Sequence, residues 1–287
     1  MPEHVDLHIH SSFSDGTLSP QQIVEKACKL ELKAIALTDH DTTAGLRQFL
    51  SQKCVGGLQI VPGVELSAHH HLASVHVLGY GIDPENDALQ KKLKKIQAAR
   101  QIRNKAIIQK LRNLGFPLSL SEIDGVSEGQ IGRPHIAHLM VQKGIVGNED
   151  EAFSRFLKKH RKCYVERELL PVEEAIRVIN QAGGVAALAH PASVDPTCSF
   201  LYNLIEDLCA MGLSALEVYH PVHNKKHIAF LGRVCRELDL VVTGGSDFHG
   251  RDGTMIGRLA PNKAIPREAF TGLERILADR KRSKRGL

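Results

Sequence analysis

The sequence has no tryptophan, only 5% aromatic residues and no Cys-x-x-Cys pair. So few aromatics leave little for the base-stacking platforms of single-strand nucleic-acid binders. The six cysteines (Cys28, Cys54, Cys163, Cys198, Cys209, Cys235) are scattered through 287 residues. In a chain of this length they read as reduced, mostly buried thiols, which points to the cytoplasm. No stretch approaches the roughly 20 apolar residues that cross a bilayer. The first residues show no signal-peptide pattern. No membrane partner is expected. Internal repeats are absent, and low complexity is confined to the C-terminal tail.

The hydrophobic content of 43% supports a sizeable core, in one large domain or one domain with an insertion. Histidine is abundant, at 16 residues, and it is the commonest metal-binding side chain. The net charge of +5 is unevenly spread: residues 86–115 carry +8, residues 279–287 carry +4, and the remainder carries −7. An acidic body suits cations, and the basic helix suits an anionic ligand or, equally, a solvated face. The tail reads as a solubilising end.

The opening stretch alternates apolar Val5, Leu7 and Ile9 with Asp6, His8 and His10, which is the period of a strand. Two imidazoles at i and i+2 on one face can grip one metal ion, and Asp15 follows in a Ser-Asp-Gly turn. A hydrogen-bonded pair of structural histidines fits this segment equally well. Helix 21–30 comes next, with Ser19 as N-cap and Pro20 in its first turn. Strands are then expected at 33–38, 58–64 and 75–80, with a short helix at 44–50. This alternation implies parallel β/α organisation. The rhythm stops at Asp83-Pro84. Residues 86–114 have the period of one long helix, and short helical pieces follow at 121–124, 135–143 and 148–159. Residues 84–165 therefore read as an all-helical insertion, a cap for substrate. The rhythm resumes with helix 172–182, strand 185–189, helix 200–211, strand 215–219, helix 226–237, strand 240–245 and a final helix 267–279. The expected division is a barrel from 1–83 and 166–279, the insertion 84–165, and the tail 280–287.

Each of the seven strands ends in metal-capable side chains. These are His8 and His10, His40, Glu65, His76, His190, Glu217 with His220, and Asp247 with His249. In α/β barrels functional residues gather at the C-terminal ends of parallel strands. One such ending could be chance; seven favour a metal centre. Asp15, His8, His10, His40, Glu65, His76, His190, Asp247 and His249 make nine candidate ligands, enough for two or three divalent ions. Nitrogen and oxygen donors without thiolate suit Zn, Mn or Fe. Clustered ions of this kind generate hydroxide near neutral pH and stabilise both attacking and leaving oxygens in phosphate ester hydrolysis. His69-His70-His71 reads as an exposed turn, since adjacent histidines should point in different directions.

Asp6-x-His8-x-His10-Ser11, Thr38-Asp39-His40-Asp41, Pro62-Gly63-Val64-Glu65, Ala189-His190-Pro191 and Gly245-Ser246-Asp247-Phe248-His249 resemble, in order, the motifs of the PHP (polymerase and histidinol phosphatase) family. The resemblance implies a distorted (β/α)7 barrel with a trinuclear metal centre. It implies one ion on His8, His10, Glu65 and Asp247, a second on Glu65, His76 and His190, and a third on Asp15, His40 and His249. Many family members carry His where this chain has Asp15, which makes the third site richer in oxygen. Gly132-Arg133-Pro134-His135 is similar to the stand-alone phosphoesterases of the family. Those remove the 3′-phosphate of nucleoside 3′,5′-bisphosphates, and some act as 5′→3′ exonucleases on short RNA. By that resemblance Arg133 and His135 bind substrate phosphate, the latter as a charged donor. Arg100, Arg103, Lys105, Lys158 and Lys159 are further candidates. Arg161-Lys162-Cys163 replaces the family's Gly-Lys-Pro.

The expected activity is metal-hydroxide hydrolysis of the 3′-phosphate of a nucleotide such as pAp. His8, His10, Glu65, Asp247, His249 and His220 are the catalytic candidates. His220 also orients substrate, and a nearby water or a histidine such as His220 or His249 protonates the leaving oxygen. Three alternatives stand beside this: a 5′→3′ exonuclease on short RNA or DNA, a histidinol-phosphate phosphatase, and a non-catalytic nucleic-acid-binding or polymerase-accessory module.

Overall fold

The computed structural model describes residues 3–52, 57–124, 129–251 and 253–285. Among the described residues eight strands form the main sheet, seven of them on one path: β1 (Val5–Ile9), β2 (Ala34–Leu37), β3 (Gln59–His69), β4 (Ser74–Tyr80), β6 (Val185–Leu188), β7 (Ala215–Tyr219) and β8 (Val241–Gly244). The two-residue β5 (Leu170–Pro171) pairs with β3 off this path. The order β1-β2-β3-β4-β6-β7-β8 curls back on itself. Ile9 bridges Phe248 just beyond β8, and His10 N–H donates to Phe248 C=O at 3.0 Å. The fold is a distorted (β/α)7 barrel.

Not all the strands are parallel. β4 runs antiparallel to both β3 and β6. The reason is connection length: a parallel crossover needs a dozen or more residues, and residues 70–73 allow only a hairpin. β3 consequently extends four residues past Glu65, pairing Ala68 with Val75 and His69 with Ser74. The reversal also explains His76. Near the start of a reversed strand, it lies at the barrel end where the parallel strands finish.

Helices α1 (Pro20–Lys29) and α2 (Leu46–Leu50) follow β1 and β2. Ser19 caps α1 through a capping box with Gln22. The segment after β4 holds α3 (Asp87–Asn113), α4 (Leu120–Asp124), α5 (Arg133–Gln142), α6 (Glu149–Ala152) and a π-helical turn Phe153–Leu157. Asn86 caps α3, accepting from Leu89 N–H at 3.1 Å. These pieces share an apolar cluster of their own, including Ile107, Leu111, Ile136, Met140 and Phe156. Then come α7 (Val172–Gln181), α8 (Pro191–Val194), α9 (Leu201–Ala210), α10 (Lys225–Glu237) and α11 (Glu268–Arg285). α11 continues past Asp279 into the stretch expected to be tail. No described helix is long and apolar enough to cross a membrane. Cys28 is disulfide-bonded, which corrects the expectation that all cysteines are reduced. Cys163, Cys198, Cys209 and Cys235 are free, and Cys54 lies outside the described residues.

Every residue of β1 is buried, so its polar face does not face solvent as a half-buried strand would. Asp6 shows what that face does. Its carboxylate accepts from Ser246 N–H (2.9 Å), Ser246 Oγ–H (2.6 Å) and Gly257 N–H (2.7 Å). Burial pushes its pKa up to about 6 against these donors. The first strand is thereby tied to the segment after the last. Beside it, Gly245 packs so closely on His8 that an added Cβ would collide with it. Asp6→Ala removes one acceptor from three donors at the closure, and it should lower unfolding free energy by about 2–4 kcal/mol. Urea denaturation measures this; a loss below about 1 kcal/mol would mean that the barrel closes by other means.

Candidate metal centre

β1 delivers His8 and His10, both fully buried, to the barrel mouth. β3 brings Glu65 from one side, and the turn after β8 brings Asp247 from the other. His8 Nε2 stands 3.4 Å from both Glu65 Oε2 and Asp247 Oδ1. His10 Nε2 stands 3.3 Å from Glu65 Oε2 and 3.1 Å from Asp247 Oδ1. Donors each about 2.1 Å from one shared ion are about 3.0–3.4 Å from one another. His8, His10 and Glu65 thus offer three donor atoms that could hold one ion, and Asp247 borders both imidazoles.

Glu65 also reaches the other way. Its Oε1 lies 2.7 Å from His76 Nδ1 and 3.2 Å from His190 Nε2. Its Oε2 also lies 2.8 Å from His40 Nδ1. His40 Nε2 then faces Asp15 Oδ2 at 3.8 Å, and His249 Nε2 faces Asp15 Oδ1 at 3.3 Å. The nine expected ligands thus lie in one chain of contacts, but the donor groups divide differently from the implied sets: His10 joins Asp15, His40 and His249, and His40 joins Glu65 and His76. Cations fit this cluster. His8 Nε2, His10 Nε2, Glu65 Oε2, His40 Nδ1 and Asp15 Oδ1 are all buried, and none makes a hydrogen bond. So many buried, unsatisfied donors and acceptors aimed at one another are costly unless something binds between them.

Charge is balanced within the cluster. Burial opposes ionisation of Glu65, yet His40, His76 and His8 hold its pKa well below the usual carboxylate range. Asp247 is likewise held low, chiefly by His8 against the cost of burial. Burial disfavours charge on His10 too, but the Asp247 and Glu65 carboxylates push its pKa up to about 10. Divalent cations supply the same compensation as those protons.

Several carboxylates orient the donors. Glu217, fully buried on β7, receives His8 Nδ1 at 2.9 Å and the His190 backbone N–H at 2.7 Å. Such a partner fixes the imidazole tautomer, leaving His8 Nε2 free to ligate. The sequence placed Glu217 at a strand end but assigned it no role; an acid within Ala-Leu-Glu-Val-Tyr was its signal. Asp39 accepts from Ser11 N–H (2.7 Å), Ser11 Oγ–H (2.7 Å) and Ser14 Oγ–H (2.6 Å), which holds the loop carrying Asp15. Asp41, on the other side of His40, accepts from Ser67 N–H at 2.8 Å. Asp41, His190 and Asp247 hold φ of 53°, 29° and 53°. Non-glycine residues seldom adopt these angles, and such strain gathers at functional sites.

The substrate candidates divide. His220 is buried, with Nε2 3.4 Å from Asp247 Oδ2. Its Nδ1 accepts from Val222 N–H at 3.2 Å, so the neutral ring carries its proton on Nε2, the nitrogen facing the cluster. His249 Nδ1 donates to Asp247 C=O at 2.8 Å, and its Nε2 faces Asp15 Oδ1 at 3.3 Å. Lys158 is exposed beyond the π-helical turn. Arg133 begins α5 and donates to Leu157 C=O at 3.3 Å.

His135 corrects an expectation. It is 2% exposed, its Nδ1 accepts from Gly132 N–H at 3.0 Å, and burial brings its pKa down to about 4. Burial thus disfavours charge on this ring, which closes the start of α5 and could meet phosphate only as a neutral Nε2–H donor. An unfolded histidine takes up its proton near 6.5. Folded stability should therefore fall as pH drops from about 6.5 towards 4, where the unfolded state alone is protonated. An NMR titration, with His135→Asn to assign the resonance, should show no change in this ring above about pH 5. A midpoint above 6 would restore the charged donor.

Comparison with known proteins agrees with this geometry. The PHP domain model matches residues 6–159. A 3′,5′-nucleoside bisphosphate phosphatase of Chromobacterium violaceum is 32% identical over 96% of this chain and 98% of its own. A 5′-3′ exoribonuclease of Haemophilus influenzae is 33% identical over 87% of this chain and 91% of its own. A solved Bifidobacterium adolescentis structure, described as a metal-dependent phosphoesterase, superposes with a TM-score of 0.84 at 30% identity, covering 97% of each chain. With the barrel, the ordered motifs and the nine converging donors, these matches show that the chain belongs to the PHP family.

Proposed function

We propose that this PHP-family hydrolase, which acts on phosphoesters, removes the 3′-phosphate of nucleoside 3′,5′-bisphosphates, leaving the 5′-monophosphate and phosphate. The observation that carries this reading is a group of four arginines beside the metal cluster. Asp41, next to His40 in sequence, is paired with Arg100 Nη2 (2.6 Å) and Arg167 Nη1 (3.2 Å). Arg103 and Arg133 lie near enough to these two for the neighbouring guanidiniums to disfavour charge on Arg103 and Arg133. Burial first, then Arg133 and Arg167, bring the Arg103 pKa down to about 9. Burial and then Arg100 bring Arg167 down to about 10. Among the described residues, no ion pair joins Arg103 or Arg133 to a carboxylate; they donate to Val165 and Leu157 C=O. One carboxylate for four guanidiniums leaves this pocket short of negative charge. A phosphate dianion fits it, since guanidinium binds phosphate oxygens two at a time.

A substrate with two phosphates matches the two neighbouring sites. One phosphate meets the arginines while the other is presented to the cluster. Bound divalent ions supply a nucleophile at neutral pH and neutralise charge on the reacting phosphate. Glu65 and Asp247 set the positions of the imidazoles around them. His220 holds a proton on Nε2 at the edge of the cluster, in place to pass it to the departing 3′-oxygen. This arrangement favours His220 over His249 for that role. A non-catalytic module would have no use for so many buried, unpaired donors.

One observation supports exonuclease action on short oligonucleotides as a second reading. A cavity of about 230 Å³ continues from Arg100 along Asn104, Lys105, Leu120 and Gln130, where a further nucleotide could lie. The +8 segment is less free than its sequence implies, because Lys92 pairs with Glu174 and Lys95 with Glu168.

Phosphate release with added Mn²⁺ should be fastest from pAp in a panel with 5′-AMP, 3′-AMP, histidinol phosphate and 5′-phosphorylated oligonucleotides. Arg103→Ala should raise KM for pAp by about 10- to 100-fold, the worth of one charge-assisted contact, and should affect 3′-AMP far less. Turnover of histidinol phosphate alone would overturn the nucleotide reading. Faster turnover of oligonucleotides would favour the second reading.

A further inference from the structure

A separate set of donors meets at the β3–β4 turn, outside the barrel-mouth cluster. His70 and Ala73 close this turn by exchanging backbone hydrogen bonds, 2.8 Å and 3.1 Å long. The sequence suggested that its histidines point apart. In an extended strand adjacent side chains would do so, but the tight turn brings the rings of His70 and His71 together, with centroids 4.0 Å apart and planes tilted by 46°. Asp207 on α9 joins them, its Oδ2 3.6 Å from His70 Nε2. One donor atom from each residue lies within 4.8 Å of the other two. His70 is buried, whereas His71 and Asp207 are exposed.

We propose that His70, His71 and Asp207 form a second metal site, for one divalent ion of the zinc class, that fastens the β3–β4 turn to α9. Two imidazoles and a carboxylate, with remaining positions open to water, suit Zn²⁺ and Ni²⁺ and do not suit Ca²⁺ or Mg²⁺, which prefer oxygen shells. The His70 ring is available to ligate at neutral pH. Burial, with His71 next, holds the His70 pKa below its usual value, so this ring is neutral. His70 Nδ1 accepts from Leu72 N–H at 3.4 Å, which places the ring proton on Nε2. Binding through Nε2 moves that proton to Nδ1 and gives up this one long backbone contact. The Asp207 carboxylate offsets part of the ion's charge. The tether has a structural consequence: β3 carries Glu65 and β4 carries His76, so fixing their turn steadies the hairpin that bears two of the barrel donors.

Equilibrium dialysis of chelator-stripped protein against Zn²⁺, with elemental counting, tests this apart from any activity. His71→Ala and Asp207→Asn should each bind one ion fewer per chain than wild type. The same one-ion difference should separate Asp247→Ala from Asp247→Ala/His71→Ala, because the two sites are distinct. Zn²⁺ should also slow hydrogen exchange at His70 and Ala73, whose amides close the turn, in wild type but not in His71→Ala. Both substituted side chains are exposed, and far-UV circular dichroism checks that the variants fold. An unchanged ion count in both variants would overturn the site. A lost ion without a change in exchange would overturn the tether.

Discussion

Glu65 is wholly buried, and a lone carboxylate at such a position would cost several kcal/mol. Its two oxygens instead face five imidazoles: His76 and His190 on one side, His8, His10 and His40 on the other. Much of the barrel mouth follows from this arrangement. Removing the carboxylate would leave like-charged or unpaired rings crowded together. Removing the rings would leave a buried anion. The cluster is stable only when its charges are matched, by protons or by cations, and the unsatisfied atoms between the rings favour cations. Because both Glu65 oxygens are committed, the groups on its two sides are coupled through one side chain.

The donors come from positions far apart in the chain, so the fold has to bring its ends together. Asp6 does much of this by gathering donors from Ser246 and Gly257 onto β1. That contact places Asp247 opposite Glu65. The β3–β4 hairpin does the rest. By reversing one strand it turns His76 back towards Glu65, which a strictly parallel barrel of this connection length could not do. Within residues 87–157, helix α3 carries Arg100, which Asp41 anchors next to His40, and Arg103 and Arg133 lie near it.

Much of this was legible in the sequence. Apolar runs ending in His, Asp or Glu located the seven main strands and the candidate donors at their ends, because strand period and polar interruption are local signals; Asp15 was read from the turn after β1. The capped 27-residue helix α3 was legible for the same reason. The reversed β4 was misread, because β3 was expected to end at 64 and its extension to His69, which leaves a four-residue link, comes only with the pairing to β4. His135 looked like a charged phosphate donor because its motif is local, whereas its neutrality comes from burial by distant residues. Glu217, Asp39 and Arg167 gain their roles only through partners remote in sequence: Glu217 orients His8 across the barrel, and Arg167 meets Asp41 from the far side of the insertion. The convergence of His70 and His71 depends on turn geometry, which no periodicity reports.

The most direct measurement of the central claim is the metal content of purified protein, wild type against Glu65→Gln, by elemental analysis. If Glu65 couples two halves of one metal centre, wild type should carry at least two ions per chain, and the substitution should lose more than one of them while the barrel remains folded. Loss of a single ion, or wild-type content in Glu65→Gln, would contradict the account.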